Sequence, residues 1–376
     1  MNSHFLEALL KVSEKAANIA RACRQNQHLF KLLVQEKKSD EKNPRFVQDF
    51  KTLADVLIQE TVKHDIGRKF AEIADHIRGE ESNLFCNTLG ETITVQVEKD
   101  QASTAALLSK VLEGDAEAAE LLAMEVHREM LLEDINVGST SFPHEVEVPL
   151  HQMAMWIDPI DSTAEYISGE EVKSPAGDVY QSGLPCVTVL LGVYDRHTGA
   201  PVLGVVNQPF FSRDGTVWHG RCLWGVSYNG VSRSSVKLVD ASKTKKVVVL
   251  SSSESTALRT ALRWTGYHPA EVAGAGYKLL CVADGSADAY ILSKATTFYW
   301  DTCGPHALLR ALGGCVKDYD SLLQTADIDR CKELSYKVSE VEDAAQGISK
   351  FCNHGGFIAT RDRDTLEELA VLICRL

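Results

Sequence analysis

The sequence predicts an α/β protein with two parts, an α+β amino-terminal half (residues 1–230) and an α/β carboxy-terminal half (residues 231–376). Three observations predict this class. Helical spacing of apolar residues dominates the first part, two β-rich runs around a turn follow it, and strands and helices then alternate to the end. The 376 residues are too many for one ordinary core and fit two domains or one large layered unit.

Helical patterns come first along the chain. Apolar residues recur at helical spacing from Leu6 to Leu33, which predicts one long amphipathic helix over residues 3–37. The next elements that we predict are helices over 49–65, 70–77 and 103–132, a strand over 92–97, and a loop over 139–149, which holds two prolines.

Strand patterns dominate after Asp158. Two β-rich runs, 186–194 and 201–208, flank a turn at 195–199 and predict a hairpin, and residues 220–228 predict a further strand. The later elements that we predict are strands over 246–251, 287–292 and 356–360, and helices over 255–265, 277–283, 301–312 and 363–376.

Composition excludes several classes of protein. The net charge of −13 argues against a general nucleic-acid binder, which would carry a basic face. The apolar runs are far shorter than a membrane span, and the first residues show no signal-peptide pattern. The ten cysteines are scattered without zinc spacing, so we expect reduced thiols in a cytoplasmic protein. A polyanionic substrate would need a local change of sign, which bound divalent cations could provide.

Two carboxylates flank a proline in the segment 156–163. Asp158 ends an apolar run that predicts a buried strand, the proline turns the chain, and Asp161 follows three residues later. Ser162 and Thr163 then begin a helical turn whose free N–H groups could bind a phosphate. Carboxylates this close raise one another's pKa unless a cation lies between them, and Mg²⁺ binds carboxylates together with phosphate and water.

Other acidic segments strengthen the metal hypothesis. They contain Asp55, the pair Glu80 and Glu81 in a Gly-Glu-Glu-Ser turn, and Asp301 after a tryptophan. Each has a structural explanation by itself, because Asp-Pro is a common turn, Asp-Ser-Thr a common helix start, and a Gly-Glu-Glu-Ser turn can simply be solvated. Only the combination of these segments favours a metal site.

At these residues the chain resembles a known family. The segments DPIDST at 158–163, GEE at 79–81 and WD at 300–301 resemble, in order and spacing, three signatures of the lithium-sensitive, magnesium-dependent phosphatases. The resemblance covers essentially the whole chain. It implies a layered αβαβα sugar-phosphatase fold of the inositol monophosphatase type.

Within that family, the segments 12–24, 50–55, 274–278 and 296–298 resemble the members that act on inositol polyphosphates. The resemblance implies hydrolysis of the 1-phosphate of inositol 1,4-bisphosphate and inositol 1,3,4-trisphosphate, with Li⁺ as an inhibitor and a monomeric protein. Residues 300–305 also resemble the 3′(2′),5′-bisphosphate nucleotidases, so that activity is the alternative. A catalytically dead binding relative is disfavoured because all the signature acids and Thr163 are present.

The resemblance also implies roles in metal binding and catalysis. Two to three Mg²⁺ ions are expected, and their ligands would be Asp55, Glu80, Glu81, Asp158, the Ile160 carbonyl, Asp161 and Asp301. Asp55, Glu80 and Thr163 would be catalytic, with the Thr163 hydroxyl, helped by Asp55, orienting the attacking water. Glu81 would be at most a weak ligand or a support for the others.

Substrate contacts follow from the same resemblance. They are expected from Asp161, Ser162, Thr163, Ser253, Gly274, Ala275, Lys278 and Thr296. Two positions depart from the family pattern, because Ser255 stands where a lysine is usual and Lys294 stands where acids are usual. Two hypotheses follow: Lys294 replaces the lost positive charge, or the preference between substrates differs from the family pattern. Under the first, Lys294→Ala should impair a bisphosphate more than a monophosphate, and equal losses would contradict it.

Overall fold

The computed structural model describes residues 3–25, 30, 34–37, 50–87, 89–137, 146–176, 178–237, 245–338 and 344–376. In these ranges the helices are α1 (Ser3–Gln25), α2 (Leu53–Lys69), α3 (Ala71–Ala74), α4 (Gln101–Val111), α5 (Ala116–His127), α6 (Thr163–Ser168), α7 (Thr256–Trp264), α8 (Ala275–Asp284), α9 (Tyr299–Ala311), α10 (Tyr319–Thr325) and α11 (Arg363–Ile373). Short 3₁₀ turns cover Leu132–Asp134, Leu150–Gln152, Leu184–Cys186 and Ala344–Phe351.

The strands are β1 (Val34–Glu36), β2 (Phe50–Thr52), β3 (Ile77–Gly79), β4 (Leu84–Cys86), β5 (Thr92–Thr94), β6 (Met153–Asp161), β7 (Val172–Lys173), β8 (Tyr180–Ser182), β9 (Thr188–Asp195), β10 (Pro201–Asp214), β11 (Val217–Tyr228), β12 (Val231–Ser234), β13 (Lys246–Leu250), β14 (Tyr267–Glu271), β15 (Ala289–Leu292), β16 (Cys315–Asp318) and β17 (Phe357–Thr360).

Two large sheets organise these elements. The first has the strand order β12-β11-β10-β9-β6-β3 and is antiparallel except where β3 pairs with β6. The second has the order β14-β13-β15-β17-β16, with parallel pairing around β13 and antiparallel pairing of β17 with both neighbours. The predicted hairpin is confirmed, because β9 and β10 pair antiparallel.

Helices cover both faces of each sheet. Helices α1 and α2 pack on the first sheet, α8 and α9 contact both sheets, and α7, α10 and α11 pack on the second sheet. Alternation along β13 shows the two faces of the second sheet. Val247 and Val249 join the core shared with the first sheet, whereas Val248 and Leu250 pack with the outer helices. The predicted αβαβα layering is therefore confirmed.

Three glycines let helix α9 lie directly on the first sheet. A Cβ atom on Gly204 would lie 2.0 Å from the Gly304 carbonyl oxygen, and one on Gly192 would lie 2.4 Å from the Gly304 nitrogen. A Cβ on Gly304 would in turn lie 2.8 Å from the Leu191 oxygen. No side chain larger than hydrogen fits at this crossing without movement, so the contact fixes the position of α9 on β9 and β10.

The long amino-terminal helix that the periodicity predicts is wrong in its last part. Helix α1 covers Ser3–Gln25, but Val34–Glu36 forms strand β1, paired antiparallel with Phe50–Thr52. The short apolar run before residue 35 fits a helix and a strand equally well. The pairing with β2, which follows a polar segment of the chain, determines that this run is a strand.

Other element boundaries also differ from the prediction. The region 103–132 is two helices rather than one, because Gly114 adopts φ +91° and the Asp115 side chain then caps α5 by accepting from the Ala118 N–H at 3.0 Å. The helix predicted over 70–77 is only the short α3, since Ile77–Gly79 joins the first sheet as β3. Strands β14 and β16 and helix α10 were not predicted. Residues 139–145 of the predicted loop lie outside the described residues.

Three further predictions concern the chain as a whole. All ten cysteines lie in the described ranges and are free thiols, as expected. Among the described residues, no helix is long and apolar enough to cross a membrane. The predicted boundary at 230/231 falls between β11 and β12, which both belong to the first sheet, and independent folding of the two halves stays a prediction.

Candidate functional site

A bulge at the end of β6 places two carboxylates on one face. Residues i and i+3 of a regular strand point to opposite faces. Here Asp158 pairs with Leu190 and Asp161 with Thr188, so β6 uses one residue more than β9 over this stretch. The extra residue, next to the proline, brings Asp158 and Asp161 to the same side.

Asp301 joins these two residues from helix α9. It lies in the first turn, where its Oδ2 accepts a hydrogen bond from the Phe298 N–H at 2.6 Å. Because the glycine contact fixes α9 on the first sheet, this carboxylate reaches the end of β6. One oxygen each of Asp158, Asp161 and Asp301 lies within 4.8 Å of the others.

Burial and mutual repulsion make this cluster costly without a cation. Burial raises the pKa of Asp158 and Asp301 well above their usual range, and the neighbouring acids add to the effect. Burial raises the pKa of Asp161 to about 6, although Lys278 opposes that shift. Asp158 Oδ1 is buried without a hydrogen-bond partner among the described residues. The cluster therefore fits a hard divalent cation, which prefers carboxylate oxygens.

A second acidic group lies next to the first and involves Lys37. The Lys37 ammonium contacts Glu80 and lies 2.7 Å from Glu81 Oε1. Burial raises the pKa of Glu81 to about 8, although Lys37 opposes the shift. The sequence did not identify Lys37 as a residue of the site. No local pattern around it indicates that the fold brings it to Glu80 and Glu81, which lie more than one element away in the chain.

Asp55 is held at the start of α2. Its Oδ2 accepts from the Thr52 N–H at 2.7 Å and from the Thr52 hydroxyl at 2.6 Å, which together cap the helix. Its Oδ1 is buried and has no partner among the described residues, and burial raises its pKa to about 7. The Thr163 hydroxyl donates to the Ile160 carbonyl at 3.1 Å and not to Asp55, and the expected joint role of Asp55 and Thr163 in orienting a water stays a prediction.

Gln59 holds the Gly-Glu-Glu turn in place and was also missed. From α2, its Oε1 accepts from the Glu81 N–H at 2.9 Å, and its Nε2 donates to the Glu81 carbonyl. A polar residue on an otherwise apolar helix face is a weak signal for such a contact. It could have drawn attention to Gln59 but not to its partner.

Asp161 connects the acidic cluster to helix α8. Its carboxylate accepts from the Gly276 N–H at 2.9 Å, the Ala275 N–H at 3.3 Å and the Thr188 hydroxyl at 3.1 Å. Gly274, with φ +74°, makes this approach possible, because a Cβ there would lie 3.0 Å from Asp161 Oδ2. The segment that carries three predicted substrate residues is thus attached to a predicted metal ligand.

A cavity of about 660 Å³ opens above the acidic cluster. All the predicted substrate residues line it, namely Asp161, Ser162, Thr163, Ser253, Gly274, Ala275, Lys278 and Thr296. Of the predicted metal ligands, Glu80, Asp158, Ile160, Asp161 and Asp301 line it, whereas Asp55 and Glu81 do not.

Lys278 is buried in the cavity wall. Its ammonium donates to the Val272 carbonyl at 2.9 Å and lies 5.1 Å from the centre of the Tyr290 ring. Burial lowers its pKa to about 8, although Asp161 opposes the shift. Lys278 is therefore a cation that a substrate phosphate in the cavity could approach.

The two departures from the family pattern have structural correlates. Ser255 caps α7, because its hydroxyl accepts from the Leu258 N–H at 3.1 Å. Lys294 is exposed, does not line the cavity, and donates to the Ser253 carbonyl. Lys294 therefore contacts a cavity residue, Ser253, without lining the cavity itself.

Fold and site together define a class, a layered αβαβα protein with a buried carboxylate site between its sheets. The chain belongs to the inositol monophosphatase family, whose pattern it matches over residues 2–346. That family comprises metal-dependent phosphatases, in agreement with the cluster of three acids.

Relatives support the assignment over the full length. The chain is 45% identical to an inositol polyphosphate 1-phosphatase of Mus musculus, over 97% of this chain and 96% of that one. It is 45% identical to the Homo sapiens protein of the same name, over 99% and 97%. A 3′(2′),5′-bisphosphate nucleotidase 1 of Dictyostelium discoideum is 30% identical over only 46% of this chain and 54% of that one.

Solved structures agree on the fold. The extragenic suppressor protein suhB from Bartonella henselae has a TM-score of 0.52 at 12% identity and covers 98% of both chains. A Thermotoga maritima IMPase also has a TM-score of 0.52, at 13% identity, over 98% of this chain and 96% of that one.

Proposed function

We propose that this chain is a Mg²⁺-dependent phosphomonoesterase that removes the 1-phosphate from inositol 1,4-bisphosphate and inositol 1,3,4-trisphosphate. The observation that carries the proposal is the buried cluster of Asp158, Asp161 and Asp301 at the base of a cavity with hydroxyl and lysine side chains in its walls. The full-length relatives named inositol polyphosphate 1-phosphatase support an inositol polyphosphate as the substrate and its 1-phosphate as the group removed.

The ligand sets of the ions follow the family resemblance. Glu80, Asp158 and the Ile160 carbonyl would hold one ion, and Asp158, Asp161 and Asp301 a second. Asp55 and Glu80 would contribute to binding a third ion that is held more weakly. Glu81 would position these ligands. Bound ions of this kind lower the pKa of water and offset the charge of the phosphate. The unpartnered oxygens of Asp55 and Asp158 support these assignments.

The chain's own groups would orient the reactants. Thr163 gives its hydroxyl hydrogen to the Ile160 carbonyl, which leaves its oxygen lone pairs for a hydrogen bond from the attacking water. Asp55 Oδ1 has no described partner and could accept from the same water. The N–H groups of Ser162 and Thr163, at the start of α6, would bind the scissile phosphate, because the first N–H groups of a helix have no acceptor within it.

Three finer predictions belong to the same proposal. Li⁺ should inhibit, because it can take the place of the second ion with half the charge. A monomeric state and a cytoplasmic location also stay predictions. Oligomeric state can be checked by light scattering of the purified chain.

The test is phosphate release from a panel of substrates with and without Mg²⁺. We expect turnover of inositol 1,4-bisphosphate and inositol 1,3,4-trisphosphate that EDTA abolishes and Mg²⁺ restores. Adenosine 3′,5′-bisphosphate should be a poorer substrate by at least about tenfold in kcat/KM. Preference for the nucleotide would instead favour the nucleotidase, and Mg²⁺-independent turnover would contradict the metal assignment.

A further inference from the structure

A cationic side chain holds the turn that forms one wall of the cavity. The turn Ser251–Glu254 joins β13 to α7, and its three serines line the cavity. From α7, the Arg259 guanidinium donates to the Ser251 carbonyl at 2.9 Å and to the Ser252 carbonyl at 3.1 Å. Its Nε also donates to the Glu254 carbonyl at 3.3 Å.

Other contacts complete this arrangement. Lys294 donates to the carbonyl of Ser253, so all four successive carbonyls of the turn face a cation. The Glu254 carboxylate is anchored by the Ser293 N–H at 2.8 Å and the Ser293 hydroxyl at 2.7 Å. Arg259 also pairs with Glu271 Oε1 at 2.7 Å. The arginine is only 12% exposed.

The contacts of the carbonyls also determine the direction in which the N–H groups of the turn point. The described chain has no cis peptide bonds, and in a trans peptide the carbonyl of one residue and the N–H of the next point in opposite directions. Carbonyls drawn toward Arg259 therefore direct the N–H groups of Ser252 and Ser253 away from it. Neither N–H has an acceptor among the described residues, and both residues line the cavity.

We propose that Arg259 is a positioning residue that directs the N–H groups of Ser252 and Ser253 into the cavity, where they bind the phosphate that is not hydrolysed. Neighbouring N–H groups on one side of a turn, beside serine hydroxyls, can together bind an anion. The proposal rests on the proposed function, because it concerns the second phosphate of an inositol bisphosphate. A purely structural role for Arg259 is the competing explanation.

The experiment separates the two phosphate positions by product inhibition. For wild type and Arg259→Met, we would measure kcat and KM for inositol 1,4-bisphosphate and the inhibition constants of both products, inositol 4-phosphate and inorganic phosphate. We expect KM and the inhibition constant of inositol 4-phosphate to rise about tenfold, the effect of one charge-assisted hydrogen bond. The kcat value and the inhibition constant of inorganic phosphate should change less than about twofold.

Three further variants control the interpretation. Arg263→Met, on the same helix, removes an exposed arginine whose side chain has no partner in the described part of the chain, and should match wild type. Arg259→Lys should recover part of the loss, because lysine keeps the charge but loses the fork that reaches several carbonyls. Arg259→Met combined with Glu271→Gln should keep the raised KM, which shows that the unpaired Glu271 is not its cause.

Each contrary result has a distinct meaning. An unchanged KM in Arg259→Met, or a KM restored by Glu271→Gln, would overturn the proposal. So would equal increases for both products together with a lower melting temperature, since these indicate general loss of structure. If the wild-type chain releases no phosphate from inositol 1,4-bisphosphate, the proposed function itself fails, and this inference fails with it.

Discussion

Asp161 has two structural tasks. It belongs to the acidic cluster, and it also accepts three hydrogen bonds, two of them from the start of α8. Because the same carboxylate would bind a cation and hold the segment that carries substrate residues, the position of the cation and the position of that segment are coupled. An amide could keep part of the second task but not the negative charge of the first.

Replacing Asp161 with asparagine should therefore separate these tasks. We expect kcat/KM to fall at least about a hundredfold because a metal-binding charge is lost. Stability should change by only about 1 kcal/mol because the amide oxygen can still accept from Gly276. Steady-state kinetics and thermal unfolding check this result. Asp329→Asn, at an exposed acid paired with Arg363, is the control, and intact turnover in Asp161→Asn would contradict the metal scheme.

Ser162 carries backbone strain at the centre of the site. It adopts φ +75° and ψ +49°, the left-handed region that costs residues other than glycine about 1 kcal/mol. Its side chain makes no capping hydrogen bond to α6. A serine at this position therefore lowers stability, in agreement with a role in the cavity.

Two substitutions that both remove the hydroxyl test this strain. Ser162→Gly should be more stable than Ser162→Ala by about 1 kcal/mol, because only glycine relaxes the left-handed conformation. Urea unfolding of the two variants gives the difference. Equal stabilities would show that residue 162 is not strained.

At the scale of elements, helix α9 is the piece that completes the acidic cluster. Its position depends on the crossing of Gly304 with Gly192 and Gly204, where backbone meets backbone. The bulge of β6 supplies Asp158 and Asp161, and the helix supplies Asp301. Small displacements of α9 should therefore move the Asp301 carboxylate within the metal site.

Gly304→Ala tests this contact. The added methyl group would lie 2.8 Å from the Leu191 oxygen, so we expect a loss of about 1–3 kcal/mol in stability together with weaker Mg²⁺ activation. Gly67→Ala is the matched control in α2, where the new Cβ would make an ordinary 3.5 Å contact with Ala74. That change should stabilise by up to about 1 kcal/mol. The two variants would be compared by thermal unfolding and by Mg²⁺ titration of activity, and a neutral Gly304→Ala would show that the crossing tolerates movement.

For the whole molecule, the buried acids link stability to pH and to divalent ions. Burial raises the pKa of Asp161 to about 6, Asp55 to about 7 and Glu81 to about 8, and it raises the pKa of Asp158 and Asp301 well above their usual range. Over this range the folded protein binds more protons than the unfolded chain, whose carboxyl groups titrate near pH 4. Without metal, stability must therefore decrease as pH rises through these values.

We expect the melting temperature in EDTA to fall by roughly 5 °C or more between about pH 5 and pH 8.5. Millimolar Mg²⁺ should largely remove this decrease, because a cation stabilises the ionised carboxylates and binds only the folded chain. Differential scanning fluorimetry across pH, with and without Mg²⁺, measures both effects. In Asp158→Asn the protection by Mg²⁺ should weaken. A melting temperature in EDTA that rises with pH would contradict the electrostatic account.

Several features followed from the sequence alone, because their causes are local. The spacing of apolar residues identified α1, the hairpin of β9 and β10, and most later strands and helices. The proline between Asp158 and Asp161, with the helix start beyond them, indicated that both carboxylates face one place. The three acidic signatures indicated the family, which the full-length match confirms.

Only the tertiary structure decided the features whose partners are far apart in sequence. Val34–Glu36 is a strand because it pairs with β2, although its own residues fit a helix. Lys37 pairs with Glu80, Gln59 holds Glu81, and Arg259 orders the turn at Ser251, and no local pattern identifies these partners. The physical reason is that secondary structure depends largely on neighbouring residues, whereas a buried charge or hydrogen bond depends on whatever the fold places opposite it.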